Sequence, residues 1–230
     1  DKNSTSNVCA FYKNFVNGVI LETNSETAEM CKLTENSFRD VNIAFANELS
    51  LICDKSNVNV SELIQLANFH PRVNILQPGT GVGGHCIAVD PWFIVAQDPV
   101  NSKLIQAARN VNDHKPKWVS QQICEFARKR NANKIACLGL AFKPNIDDLR
   151  GSPSLSIIDD LINDGFEVSC VEPNIISHNK YDLISIDKAL ADFDVIAILV
   201  KHKEFSSDKV LSSLGRLDAL DFCGLLHTHI

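Results

Sequence analysis

The sequence holds no C-x-x-C pair, no lysine- or arginine-rich run and no uninterrupted apolar stretch of membrane-spanning length. Each absence removes a class of protein. Without the ligand spacings of structural zinc, the eight cysteines do not read as a metal centre, and no metal is expected. They are scattered and lie mostly in apolar periodic segments, as around Cys53, Cys124 and Cys137, so they read as reduced thiols of a cytoplasmic protein. A net charge of -6 and a pI near 5.6, with no local basic run, argue against nucleic acid or an anionic membrane as the main partner. The chain opens on Asp1-Lys2-Asn3-Ser4-Thr5-Ser6, which has no signal-peptide layout and no initiating Met, and this suggests a fragment or a processed chain. No G-x-G-x-x-G follows a strand: Gly79-Thr80-Gly81-Val82-Gly83-Gly84 lacks the strand-to-helix setting of a dinucleotide fingerprint.

What is present is a globular composition, 45% hydrophobic over 230 residues, enough for one large domain or two small ones. The most unusual stretch begins with four glycines in six positions and continues His85-Cys86-Ile87-Ala88-Val89-Asp90-Pro91-Trp92. Such a backbone can turn tightly and approach a ligand closely. Asp90-Pro91 reads as a helix start, with Asp as N-cap and Pro at the first helical position. Cys86 then sits just before a helix N-terminus, where the dipole and free N–H groups favour the nucleophilic thiolate.

Upstream, Val19-Ile20-Leu21 reads as a short strand, and Thr23-Asn24-Ser25-Glu26 has capping-box spacing, opening a long helix to about Asp54. Met30, Leu33, Val41, Ala44, Phe45 and Leu49 supply its apolar positions. Lys32, Asn36 and Arg39 share one face of it, either a solvated stripe or the wall of a polar cleft. A second helix starts near Ser61 and stops before His70-Pro71, which leaves His70 and Arg72 in the loop that leads to the glycines. A third runs from Lys103 past Pro116 toward Arg130 and is expected to bend at the proline, as a domain connector or dimer interface would.

From Asn131 the texture changes to alternating strands and helices: strands at 134–142, 166–171 and 194–200, with an amphipathic helix at 154–162. The fold class is therefore α/β: a helical central and dimerisation domain followed by a Rossmann-like parallel sheet. Ligands of such sheets lie beyond the carboxyl ends of the strands. That rule selects Phe142, Lys143 and the loop to Arg150, whose cations suit anionic groups.

Taken together, Thr27–Asn36, Gly81–Cys86 and Gly139-Leu140-Ala141-Phe142-Lys143-Pro144 resemble the UDP-glucose/GDP-mannose dehydrogenases in order and spacing over essentially the whole chain. The run from His85 to Ile94 is more similar to members acting on UDP-N-acetyl-D-mannosamine than to those acting on UDP-glucose. The resemblance implies an NAD-dependent, four-electron oxidation of a sugar C6 alcohol to a carboxylate, serving bacterial surface polysaccharide. It implies Cys86 as the nucleophile that forms a thiohemiacetal and then a thioester, with Lys32 and Asn36 beside the oxyanion. Asp90 lies near the hydrolytic water or is simply the helix cap. Arg39, His70, Arg72, Gly83, Phe142 and Lys143 match substrate-contacting positions, Arg72 reaching a partner subunit, and Arg150 matches a cofactor contact. Asp221-Phe222-Cys223-Gly224 departs from the pattern by lacking a nearby basic residue.

The family pattern also divides the chain, into 1–24 as the remnant of an amino-terminal NAD-binding domain, 25–130 as the central domain and 131–230 as the UDP-binding domain. The expected partners are a UDP-sugar and a second copy of the chain. On this reading the 230 residues alone do not turn over. The alternatives are oxidation of UDP-N-acetylglucosamine or UDP-glucose, or a non-catalytic UDP-sugar-binding dimerisation fragment. A cysteine hydrolase would need a His–Asn pair against Cys86, and none can be placed.

Overall fold

The computed structural model describes residues 1–226. It is an α/β protein in which helices come first and a parallel sheet follows. The polar opening forms helix α1 (Lys2–Tyr12), which the Asp1 carboxylate caps by accepting from the Ser4 amide at 3.0 Å. Val19-Ile20-Leu21 is not a strand. It finds no neighbouring strand to pair with, and Val19 and Leu21 stay exposed.

Helix α2 (Ser25–Ser56) is the long helix the sequence forecasts, but its cap is Asn24 rather than Thr23: the Asn24 side chain accepts from the Thr27 amide at 2.7 Å. Asn57 ends it in the left-handed conformation. Of the residues expected to be buried along it, Ala44 is; Met30 and Phe45 are exposed. Helix α3 (Val60–Ala67) is capped by Asn59, and α4 (Asp90–Gln97) follows the glycine stretch. Helix α5 (Lys103–Lys129) runs on through Pro116.

The first half of α5 packs on α2 through an unusually polar seam. Asp40, Asn47, Arg109 and Asn112 are all buried there, with Asn112 bonding Asp40 and Asn47. Its second half covers the sheet.

Strands β1 (Lys134–Leu138), β2 (Glu167–Val171), β3 (Val195–Ile198) and β4 (Leu220–Asp221) lie in the order β2-β1-β3-β4, all parallel. Helices α6 (Pro153–Asn163), α7 (Ile186–Asp192) and α8 (Asp208–Arg216) make the crossovers. Each face of the sheet buries one alternation of side chains. Ile135, Cys137, Val195 and Ala197 meet α5 and α6, while Ala136, Leu138, Ile196 and Ile198 meet α7 and α8. Truncating a side chain such as Ile157 or Leu161 here would cost about 2–5 kcal/mol.

Strand β1 is shorter than the apolar run suggested. At Gly139 (φ 94°) the chain turns against Val200, and a Cβ there would lie 2.5 Å from the Val200 Cβ. Residues 140–142 thus become loop at the carboxyl end of the sheet. No helix among the described residues is long and apolar enough to cross a membrane.

Candidate active site

The order β2-β1-β3 reverses direction at β1, so the crevice beyond the ends of β1 and β3 is the topological switch point. A cavity of about 790 Å³ lies there, closed on the other side by α3 and the start of the glycine stretch. Phe142, Lys143 and Lys201 are on its wall, and its charged lining consists of the two lysines with no carboxylate. In a chain of net charge -6, this is a local cationic site. Lys201, which donates to the Gly224 carbonyl at 3.0 Å, is absent from the sequence-derived set. The strand-end rule that selects Lys143 selects it equally, since it follows β3 by the same logic.

The glycine stretch has a second function that the sequence did not show. Gly83 packs so tightly that a Cβ would lie 2.5 Å from the Gly151 carbonyl oxygen, and at Gly84 (φ 84°) the Phe142 ring takes the space. The Gly84 amide donates to the Arg150 carbonyl at 3.2 Å. The close approach is therefore to the sheet domain's own loop, and it seats Cys86 beside that loop.

Cys86 is exposed at the end of this turn, and its carbonyl accepts from the amides of Val89 at 3.0 Å and Asp90 at 2.8 Å. Asp90 is not the N-cap, as its spacing before Pro91 implied. Val89 holds that position and Asp90 is already helical, which frees its carboxylate to reach α2. There Asn36 Nδ2 donates to Asp90 Oδ2 at 2.5 Å, and Lys32 Nζ donates to Asn36 Oδ1 at 3.4 Å. Lys32, Asn36 and Asp90 thus form one hydrogen-bonded row running from α2 to the helix that follows Cys86. Asn36 is buried, so its amide is fixed in orientation, while Lys32 is open to solvent and also approaches Glu35 at 3.5 Å.

Arg150 holds Asp148 through two-pronged contacts of 2.6 to 3.1 Å, and these bonds draw the Asp148 carboxyl down to about 2. Arg39 is exposed on α2. His70 and Arg72 stay together in an exposed turn, where the Arg72 amide donates to His70 Nδ1 at 3.3 Å, and no side-chain bond joins either to Cys86. The structure accordingly joins Lys32, Asn36 and Asp90 by hydrogen bonds, ties the Asp90 amide to the Cys86 carbonyl, and places Phe142 and Lys143 on the wall of the cavity. It leaves Arg39, His70 and Arg72 on the outer surface of the chain.

The geometry on the chain is thus a cysteine on a helix-initiating turn, a hydrogen-bonded Lys–Asn–Asp row and a cationic crevice at the end of a parallel sheet. The chain belongs to the UDP-glucose/GDP-mannose dehydrogenase family: the family's central domain matches residues 26–114 and its UDP binding domain residues 136–222. Within that family the UDP-N-acetyl-D-mannosamine dehydrogenase of Campylobacter jejuni is 58% identical over 212 residues, covering 87% of this chain and 52% of that protein. The enzyme of the same name from Escherichia coli K12 is 59% identical over 208 residues, covering 84% of this chain and 50% of the other. The solved UDP-D-ManNAc dehydrogenase structure from Pyrococcus horikoshii superposes with a TM-score of 0.88 at 37% identity, over 99% of this chain and 55% of that one. The chain thus spans about half the length of the relatives it matches.

Proposed function

We propose that this chain is the substrate-handling part of an enzyme that oxidises the C6 alcohol of UDP-N-acetyl-D-mannosamine to the carboxylate, in the cytoplasm, for surface polysaccharide. The observation that carries the reading is the Lys32–Asn36–Asp90 row placed one helical turn from Cys86. In this reading the Cys86 thiolate adds to the C6 aldehyde, and the resulting thiohemiacetal is oxidised to a thioester that water cleaves. Lys32, with donors to spare, faces the oxygen that gains negative charge, a role worth about 10² to 10³ in rate. Asn36 is bonded on both sides and keeps Lys32 and Asp90 at fixed separation. Asp90 uses Oδ2 on Asn36, leaving Oδ1 to accept a proton from the hydrolytic water.

The UDP moiety belongs in the cationic cavity, where Lys143 and Lys201 face the diphosphate and Phe142 forms a wall. The domain division follows: residues 25–130 carry the nucleophile and residues 131–230 the nucleotide. NAD is the oxidant expected of the family; two molecules in succession would each take up one hydride. The described residues do not form its cradle, since no strand–glycine turn–helix of that kind occurs among them and the Arg150 guanidinium is engaged by Asp148.

We also assign the partner as a second copy docked along α2. Phe38, Phe45 and Ile52 recur every seven residues on that helix and are 68%, 51% and 53% exposed, a stripe suited to pairing with its own copy. Helix α5, the candidate from sequence, has its apolar face taken by the sheet and α6.

The test is Cys86→Ala in the intact polypeptide, following uronate formed from UDP-N-acetyl-D-mannosamine. Uronate production should fall by on the order of 10³ or more. Unchanged production would remove Cys86 from the mechanism.

A further inference from the structure

The loop that carries Phe142 and Lys143 has no regular secondary structure, yet it is held at both ends by one buried pair. Glu172, just past β2, and His202, just past β3, both have side chains with 0% exposure, and His202 Nε2 lies 3.0 Å from Glu172 Oε2. Glu172 Oε2 also accepts from the amides of Leu140 at 2.7 Å and Ala141 at 3.1 Å, immediately before Phe142. Its other oxygen, Oε1, accepts from the backbone and side-chain nitrogens of Asn174 at 3.0 and 3.1 Å. On the far side of Lys143, the Asn145 amide donates to His202 Nδ1 at 3.0 Å, and Asn145 Oδ1 accepts from the Lys203 amide at 2.9 Å.

A backbone N–H can only donate, so Nδ1 is the acceptor and the ring proton sits on Nε2, pointing at Glu172. The tautomer is fixed by the loop it holds. His202 is also the neighbour in sequence of Lys201, the second cation of the cavity.

We propose that Glu172 and His202 are positioning residues that preset Lys143 and Lys201 for a nucleoside diphosphate. Neither lines the cavity. They act by holding the backbone on both sides of Lys143 and the segment after Lys201. The proposal rests on the reading of the cavity as the diphosphate site. A loop fixed in advance spares the ordering cost at binding, so its release weakens affinity without removing a contact.

His202 can be cut one link at a time. In His202→Gln the side-chain amide can still donate to Glu172, but the acceptor for Asn145 is lost. In His202→Asn the carbonyl oxygen takes the place of Nδ1 and keeps Asn145, while the donor to Glu172 is lost. The measurements are amide hydrogen exchange over residues 139–146 in the free 230-residue chain, and calorimetric titration with UDP. For His202→Gln, exchange at Asn145 should speed and UDP affinity fall, each by on the order of tenfold. For His202→Asn both should stay within about threefold of the parent. Lys143→Ala combined with His202→Gln should lose little more UDP affinity than Lys143→Ala alone, because the link cut in His202→Gln is the one to Asn145, beside that lysine.

Unchanged exchange in His202→Gln, equal losses in the two His202 variants, or full additivity with Lys143→Ala would each overturn the proposal. A parent chain that fails to bind UDP would instead overturn the cavity reading. Faster loop exchange in His202→Gln would then still support the clamp, and unchanged exchange would still sink it.

Discussion

Among the described residues, the helical half and the sheet half each bury one side-chain carboxylate, and the two are treated differently. Glu172, in the sheet half, collects five hydrogen bonds on its two oxygens. Burial by itself would push its carboxyl up, but the bonds from His202, Leu140 and Asn174 outweigh it and hold the group at about 2. Asp40, in the seam between α2 and α5, has Arg109 at 2.6 Å and Asn112 at 2.8 Å on Oδ1, while Oδ2 has no partner. There burial wins and the carboxyl is raised, despite the guanidinium. Arg109 is itself incompletely used, with Nε unpartnered and Nη2 turned to Asp113. A formal ion pair thus does less for a buried carboxylate than several well-aimed neutral donors.

The sharpest way to break this comparison is Arg109→Met. It leaves Asp40 buried without its counter-charge, and the expected loss at pH 7 is about 3–5 kcal/mol. The sign of the pH effect is specific. A carboxyl raised in the folded state costs stability above its unfolded value, and the cost disappears as it takes up a proton. Urea unfolding should therefore show part of the loss recovered between pH 7 and pH 5. Equal losses at both would mean that the guanidinium acts through packing alone.

Glu172→Gln comes second, at on the order of 2–3 kcal/mol at pH 7, because the new amide group faces N–H donors. Its pH dependence is opposite in sense. A carboxyl lowered from its ordinary 4.5 to about 2 contributes stability that is present above 4.5 and lost as pH falls toward 2. The gap between parent and variant should stay constant from pH 7 to about 5 and close only in stronger acid. A gap that closes already at pH 5 would contradict the assignment of hydrogen bonds to Glu172.

What could be read from sequence in this chain follows the range of the interactions. The extents of α2 and α5 come from periodicity and the places of the three longer strands, though not the end of β1, from apolar runs, and both signals are local. The shared face of Lys32 and Asn36 is helix geometry, and Lys143 follows from the rule that ligands meet strand ends. The cap was missed by one residue because Thr23 and Asn24 are both good capping types. Spacing alone makes Asp90 a cap and only the family resemblance offers it another role, because its bond to Asn36 crosses 54 positions and no local pattern reports that. The same holds for Glu172 and His202, 30 positions apart, and for Asp40 and Arg109, 69 apart. A clue existed for the last pair, since Asp40 and Asn47 fall on one face of α2 and Arg109, Asn112 and Lys115 on one face of α5. Polar residues so aligned between two long helices are more often solvated, and only packing shows that these face each other.

Lys115 gives the smallest effect and tests the helical half from the cationic side. Its ammonium is buried, donates to Ser50 Oγ at 2.7 Å and lies 4.0 Å from the centre of the Trp118 ring. Burial lowers it to about 7, with Asp54 only partly opposing. For a base lowered in the folded state, the unfolded chain holds more protons between about 7 and 10.5, so stability rises with pH across that window. Below 7 the folded protein carries the full cost of the buried charge. Lys115→Met loses the bond to Ser50 and the contact over Trp118 but removes that cost, so the net change at pH 7 should be within about 1 kcal/mol. The informative quantity is the slope. Denaturant midpoints between pH 7 and 9.5 should rise in the parent and rise less in Lys115→Met, the difference being the contribution of this one amine. Parallel slopes would show that the lysine is solvated and charged throughout, and the seam between α2 and α5 would then be wetter than its burial implies.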